Sequence, residues 1–193
     1  MLTLQEKAEI EELAGKLGTP LYATRELVAT TANDIQWFYK LVRRRGEVIL
    51  VVPRPNGRVL LHTKSTYPSG IYRLPGGGVN PGEPALDAAQ REALEETGFD
   101  APMTRLLGVV ENEILVQGNR LSYPSYVFLT GPTTALPHVL DLEEDIADFR
   151  EVPVDDLSLI AAQLEAMPPD WQPWGQFRAT PHVLARQALV ANK

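Results

Sequence analysis

The chain contains no cysteine, which excludes disulfides, thiolate metal sites and a cysteine nucleophile. Basic charge is also short. Eighteen lysines and arginines stand against 25 acids, for a formal net charge of -7. Proteins that grip a nucleic-acid backbone carry a basic footprint, so nucleic acid is not the expected partner. A phosphorylated small molecule stays open, because a bound cation can bridge acid to phosphate. No apolar run reaches the roughly 20 residues that span a bilayer, so no membrane partner is expected either. The opening "MLTLQEKAEIEELAGKLG" is acidic and lacks a basic start followed by an apolar core. It does not read as a secretory signal, and a cytoplasmic setting is the expectation.

What is present suits one domain of ordinary size, 193 residues with 44% hydrophobic side chains. Ile10, Leu13, Ala14 and Leu17 fall at helical spacing and end at Gly18. Thr19-Pro20 reads as the cap of a second helical piece reaching about Asn33. The period then changes. "VILVVPRPNGRVLLHT" places two β-rich runs around Asn56-Gly57, a hairpin signal. "TRLLGVVENEILV", "SYPSYVFLT" and "IADFREVPV" read as further strands, mostly in antiparallel pairs, and "VDDLSLIAAQLEAM" as a helix. A Pro/Trp-rich loop and a last helix close the chain. The expected architecture is α+β. Residues 1–34 read as an N-terminal helical extension and residues 35–193 as the main domain, with a helical tail from about 155.

The stretch "GGVNPGEPALDAAQREALEETGF", Gly77 to Phe99, breaks local rules. Glu92, Glu95 and Glu96 fall within two turns of one helix that Gly98 should stop. Like charges at i, i+4 repel, and acids at a helix C-terminus oppose the macrodipole. At about 100° per residue the three share one face. Ala85, Ala88 and Ala89 leave room along that side. Clustered hard oxygen ligands suit Mg²⁺, with Mn²⁺ as a substitute, and a divalent cation would turn the repulsion into attraction. The run Gly76-Gly77-Gly78 lets backbone approach a ligand closely. A solvated acidic helix face is the bland alternative.

The acids come in a fixed package: Gly77, Glu83, Arg91-Glu92, Glu95-Glu96, Gly98 and Phe99. This resembles the Nudix box, the signature of the Nudix hydrolase family. Ala93 departs from it, where a larger aliphatic is usual. The resemblance implies a Nudix fold, a mixed β-sheet sandwiched between helices, here with N- and C-terminal helical additions. It also implies Mg²⁺-dependent hydrolysis of a nucleoside diphosphate linked to another moiety, as in nucleotide sugars, ADP-ribose or nucleoside triphosphates. By the same resemblance Glu92 and Glu96 are the principal metal ligands. Glu95 is a further ligand or the base, the Gly76 carbonyl is a ligand, Arg91 organises the box glutamates, and Glu83 supports them. Glu144, before Asp145-Ile146, resembles a downstream acid that many members use as ligand or base, with Glu143 next and an ordinary surface loop as the alternative.

Substrate is less legible. Arg73, Gly77 and Gly78 are the candidate substrate contacts, with a surface or structural role as the equal alternative for Arg73. Members acting on ADP-ribose often carry a proline about fifteen residues past the box, where this chain has Ile114. Trp37 and Phe38 read as core at a strand start or as a base-stacking pair. Trp171, Trp174 and Phe177 read as pins for the tail helix or as a flap. His138 and His182 carry no assigned role. A ligand-sensing module without turnover remains the alternative function, and a homodimer is the assembly to test.

Overall fold

The computed structural model describes residues 1–191. In chain order the elements are α1 (Leu4–Leu17), β1 (Leu21–Ala29), α2 (Ala32–Leu41), β2 (Gly46–Val51), β3 (Pro53–Arg54), β4 (Arg58–Lys64) and β5 (Gly78–Val79). Then follow α3 (Ala85–Thr97), β6 (Met103–Val116), β7 (Asn119–Thr130), β8 (Ile146–Pro153), α4 (Leu157–Glu165) and α5 (Gln172–Val190). Five strands form a mixed sheet in the order β1-β6-β7-β2-β5. β1 runs parallel to β6 and β2 parallel to β7, while β6–β7 and β2–β5 are antiparallel. A second sheet has the order β3-β4-β8.

Helices cover both faces of the larger sheet, so β2 is buried along its whole length. Its alternation sorts the two cores. Ile49 and Val51 pack with Leu157, Leu164, Leu184 and Ala185 of α4 and α5. Val48 and Leu50 pack with Ile10 and Leu13 of α1 and with the alanines of α3. A third cluster joins Phe38 and Leu41 of α2 to Leu27, Ile114, Tyr123 and Phe177. The α+β sandwich expected from the sequence is the fold observed.

Two local expectations are corrected. Residues 21–29 form an edge strand of the main sheet, not a second helical piece. Residues 32–41 are helical, so Trp37 and Phe38 stand on α2 and not at a strand start. A capping box starts α2: the Thr31 hydroxyl accepts from Asp34 N–H, and the Asp34 carboxylate accepts from Thr31 N–H. The Asn56-Gly57 turn does close a hairpin, between β3 and β4, with Asn56 at φ 64°. β2 and β4 nonetheless belong to different sheets.

Candidate active site

The carboxylates are positioned by α3, whose ends are fixed differently. At the C-terminus Gly98 takes the left-handed conformation, φ 71°, and donates to Leu94 O. At the N-terminus Pro84 has no capping side chain. Glu9 of α1 takes that role, its Oε1 accepting from Ala85 N–H at 2.7 Å. Arg45 holds Glu9 through two bonds and donates to the Glu83 carbonyl. The first helix of the chain therefore caps the helix that carries the acids.

Arg91 ties four parts of the box together. Its Nε donates to Glu83 Oε1 at 2.8 Å, and Nη1 donates to Glu92 Oε1 at 2.7 Å and Glu95 Oε2 at 2.8 Å. Nη2 reaches the Gly78 carbonyl at 2.9 Å. Glu83 also accepts from Asn80 N–H, which closes the loop before the helix. A planar guanidinium with fixed donors suits this task, and a lysine ammonium does not.

The glycine run packs against the acids at van der Waals limits. Gly76 has φ +140°, and a Cβ there would lie 2.1 Å from Val48 O. A Cβ on Gly77 would lie 2.3 Å from the Glu92 carboxylate. Gly76 N–H donates to Glu96 Oε2 at 2.6 Å. Arg73, expected to meet substrate, is only 3% exposed. It donates to Tyr67 Oη and to the Leu74 and Gly76 carbonyls, and lies 3.4 Å from Glu96. Its donors are committed within the protein, so it braces the loop from beneath.

The expected acids fall into two groups. Oxygens of Glu92, Glu95 and Glu144 all lie within 4.8 Å of one another. The downstream acid thus meets the box helix from a separate segment, the turn Leu142–Glu144. Glu143 is exposed, whereas Glu144 is half-buried. Glu96 stands apart from this trio. It is fully buried, and its oxygens face Gly76 N–H, Arg73 and Lys64. Burial, with the charge of Glu96 acting the same way, pushes the Glu92 carboxyl up to about 7 against the pull of Arg91. The trio offers hard carboxylate oxygens from two separate segments at close range, a donor set that fits a small divalent cation.

Sequence reasoning missed three residues here. Lys64 Nζ lies 2.5 Å from Glu144 Oε2 and 3.3 Å from Glu96 Oε1. His62, two residues earlier on β4, lies 3.7 Å from Glu96 Oε2 and is fully buried. Burial and the nearby charge of Arg73 hold its imidazole well below its usual range. His182 accepts from Leu74 N–H through Nε2 and donates through Nδ1 to Arg178 O, linking α5 to the segment before the glycines. A histidine and a lysine at i, i+2 in an apolar strand were the available signal for the first two.

A cavity of about 970 Å³ opens over this cluster. The carboxylates and the glycine run form one wall. Trp37, Lys40 and Arg44 from α2 and its end, with Trp171 from the turn Pro169–Trp171 and Trp174 and Arg178 from α5, form another. Nine carboxylate side chains line the cavity against six lysines and arginines.

A family model described as "NUDIX domain" matches residues 43–174. That is more than half of the sequence, and the chain belongs to the NUDIX family. The "Diphosphoinositol polyphosphate phosphohydrolase 3-alpha" of Mus musculus is 40% identical over 109 residues, covering 56% of this chain and 61% of that protein. The chain thus spans about three fifths of that relative's length. The structure titled "NUDIX hydrolase from Nitrosomonas europaea" superposes with a TM-score of 0.52 at 20% identity, over 78% of this chain and 90% of that one. The MutT protein of Methanosarcina mazei Go1 gives 0.51 at 18% identity, over 88% and 97%. At these identities the two structures speak for the fold alone.

Proposed function

We propose that the chain is a divalent-cation-dependent pyrophosphohydrolase acting on a nucleoside diphosphate linked to another moiety. The observation that carries this reading is the convergence of Glu92, Glu95 and Glu144 within 4.8 Å at the wall of a large cavity. Glu92 and Glu95 would hold Mg²⁺ or Mn²⁺, with Glu96 and the Gly76 carbonyl as the remaining candidates. A divalent cation held there would neutralise phosphoryl charge and lower the pKa of a bound water, so that the water could lose a proton and attack.

The chain's own residues do the rest. Arg91 fixes the rotamers of Glu92 and Glu95 through bonds of 2.7 and 2.8 Å. Glu144, ion-paired to Lys64, faces the box acids from its own turn and takes the proton of the attacking water. The oxygen of that water bonds to one phosphorus, and the bridging oxygen leaves with the other phosphate. Gly77 and Gly78, without side chains, let the diphosphate approach the backbone beside Glu92.

The mouse relative is named for diphosphoinositol polyphosphates, and the charge of this cavity speaks against so polyanionic a substrate. Arg73, Arg91, Arg178 and Lys64 are each paired with carboxylates. Among the described residues only Lys40 and Arg44 of the lining cations have no carboxylate partner. A nucleoside diphosphate derivative asks for fewer cations.

The test is a panel of nucleotide sugars, ADP-ribose, nucleoside triphosphates and diphosphoinositol pentakisphosphate, assayed with and without Mg²⁺ and with product identification. Mg²⁺-dependent release of a nucleoside monophosphate from one of the nucleotides is expected. Binding without any turnover would sink the catalytic reading and leave a ligand-sensing module.

A further inference from the structure

All three tryptophans of the chain line the one cavity that holds the carboxylates. They come from separate segments: Trp37 from α2, Trp171 from the turn Pro169–Trp171, and Trp174 from the start of α5. Each packs against the edge of a hydrophobic core cluster, but none lies inside it. The inside positions are filled by their neighbours Phe38 and Phe177, which are 9% and 0% exposed. The tryptophans are each half-buried, with part of each indole left uncovered at the cavity.

Their rings are held firmly. Trp37 meets Phe177 edge-on, with centroids 5.2 Å apart. Trp174 lies 4.8 Å from Tyr67 and 5.3 Å from Trp171. The Arg178 guanidinium sits 6.0 Å from the Trp174 ring and is itself fixed by Glu47 at 2.6 Å. These are rigid, wide apolar faces with little rotamer freedom to lose on binding. Indole faces beside paired charges are poor phosphate ligands and good partners for a flat ring.

We propose that Trp37, Trp171 and Trp174 form an aromatic slot that stacks the base of the substrate nucleotide. α2 and the start of α5, not the carboxylate helix, then set which nucleotides enter. This rests on the reading above that the carboxylate wall takes the diphosphate. It goes beyond that reading in assigning the base to residues that include Trp37, which precedes the segment matched by the family model. The slot selects a planar heterocycle and rejects a sugar or cyclitol ring in the same place. Removing one face of a stacked base costs roughly five- to hundredfold in affinity.

Because every tryptophan lies at the slot, intrinsic fluorescence reads its occupation directly. The probes are α,β-methylene-ADP and imidodiphosphate, each with Mg²⁺, on wild type, Trp37→Ala, Trp37→Phe and Trp174→Ala, with calorimetry for the ring-free probe. α,β-methylene-ADP should quench wild-type fluorescence. Its Kd should rise about tenfold or more in Trp37→Ala and Trp174→Ala and recover to within about threefold of wild type in Trp37→Phe. Imidodiphosphate should bind all four proteins alike. On the true substrate the alanine variants should raise KM with kcat nearly kept. Trp37 stands on a helix whose packing rests on Phe38 and Leu41, so its variant carries the test if Trp174→Ala fails to fold. Unchanged affinity for α,β-methylene-ADP in Trp37→Ala overturns the slot, and so does equal wild-type affinity for the two probes. Hydrolysis with KM unchanged in that variant sinks the slot and spares the catalytic reading. Tryptophan-dependent nucleotide binding without hydrolysis does the reverse.

Discussion

Arg91 is the side chain on which the acid cluster depends most. It neutralises part of three carboxylates and reaches a loop carbonyl at the same time. Replacing it with lysine keeps the charge and loses the fork. One ammonium cannot span Glu83, Glu92, Glu95 and Gly78 together. Arg91→Lys should therefore cut kcat about 10- to 100-fold, the usual cost of losing a partner that orients metal ligands. Circular dichroism and melting should change little. Steady-state kinetics at saturating Mg²⁺ check this, and near-normal kcat would mean that charge alone suffices. The downstream acids separate in the same way. Glu144→Gln should lower kcat by about 100-fold or more, since it removes a charge at the reacting centre. Glu143→Gln should stay near wild type, because Glu143 is exposed and lies outside the close trio. Equal losses in the two variants would dissolve the distinction. The box acids could be read from spacing because they sit on one helix, where sequence distance fixes direction. Lys64 and His62 could not. Their meeting with Glu96 depends on how β4 packs over α3, which no local pattern encodes.

At the scale of elements, legibility followed the same line between local and distant causes. The end of α3 is legible because Gly98 is a local signal. β1 was misread. Its inward positions are Ala23, Arg25, Leu27 and Ala29, and Arg25 interrupts the apolar alternation. That arginine is satisfied by a bidentate bond to Glu165, 140 residues away. Its strand partner β6 is also distant in sequence, with Leu21 opposite Gly108, so the tertiary fold decides the state of this segment. The cap of α3 is a distant contribution of the same kind. Glu9→Ala would remove the acceptor for Ala85 N–H and strand Arg45, which is half-buried. The cap alone is worth about 1 kcal/mol, and the unpaired cation adds to it. A loss of about 2 kcal/mol in urea unfolding is expected. Glu9→Gln should recover the smaller part, since its amide oxygen can still accept. An unchanged midpoint in Glu9→Ala would mean that α3 needs no help from α1.

At the scale of the whole molecule, a buried histidine ties α5 to the segment before the glycines, and pH reads how tightly. Burial pushes His182 down to about 4 from its usual 6.5, against the opposing effect of its bond to Arg178 O. The folded chain keeps this imidazole neutral, because Nε2 must accept from Leu74 N–H. Between pH 4 and 6.5 the unfolded chain therefore binds a proton here that the folded chain refuses. Stability from this group is complete above about 6.5 and falls as pH drops toward 4. Between pH 7 and pH 5 the loss amounts to about 2 kcal/mol. Glu92 works in the opposite direction. Its carboxyl, raised from 4.5 to about 7, holds a proton in the folded state that the unfolded state releases, so it favours folding as pH falls through that window. Without added metal the two effects are of similar size, and the wild-type profile alone would hide both. The difference between wild type and His182→Gln isolates the histidine, since the glutamine oxygen can accept from Leu74 N–H at any pH. The variant should be less stable than wild type at pH 7, where the histidine also holds the Arg178 carbonyl. The gap should shrink or reverse by about 2 kcal/mol at pH 5. Denaturant unfolding at the two pH values, in chelator, measures it. A gap that stays constant would show that His182 takes up its proton in the folded protein as readily as in the unfolded chain, and that α5 is not locked to the segment before the glycines.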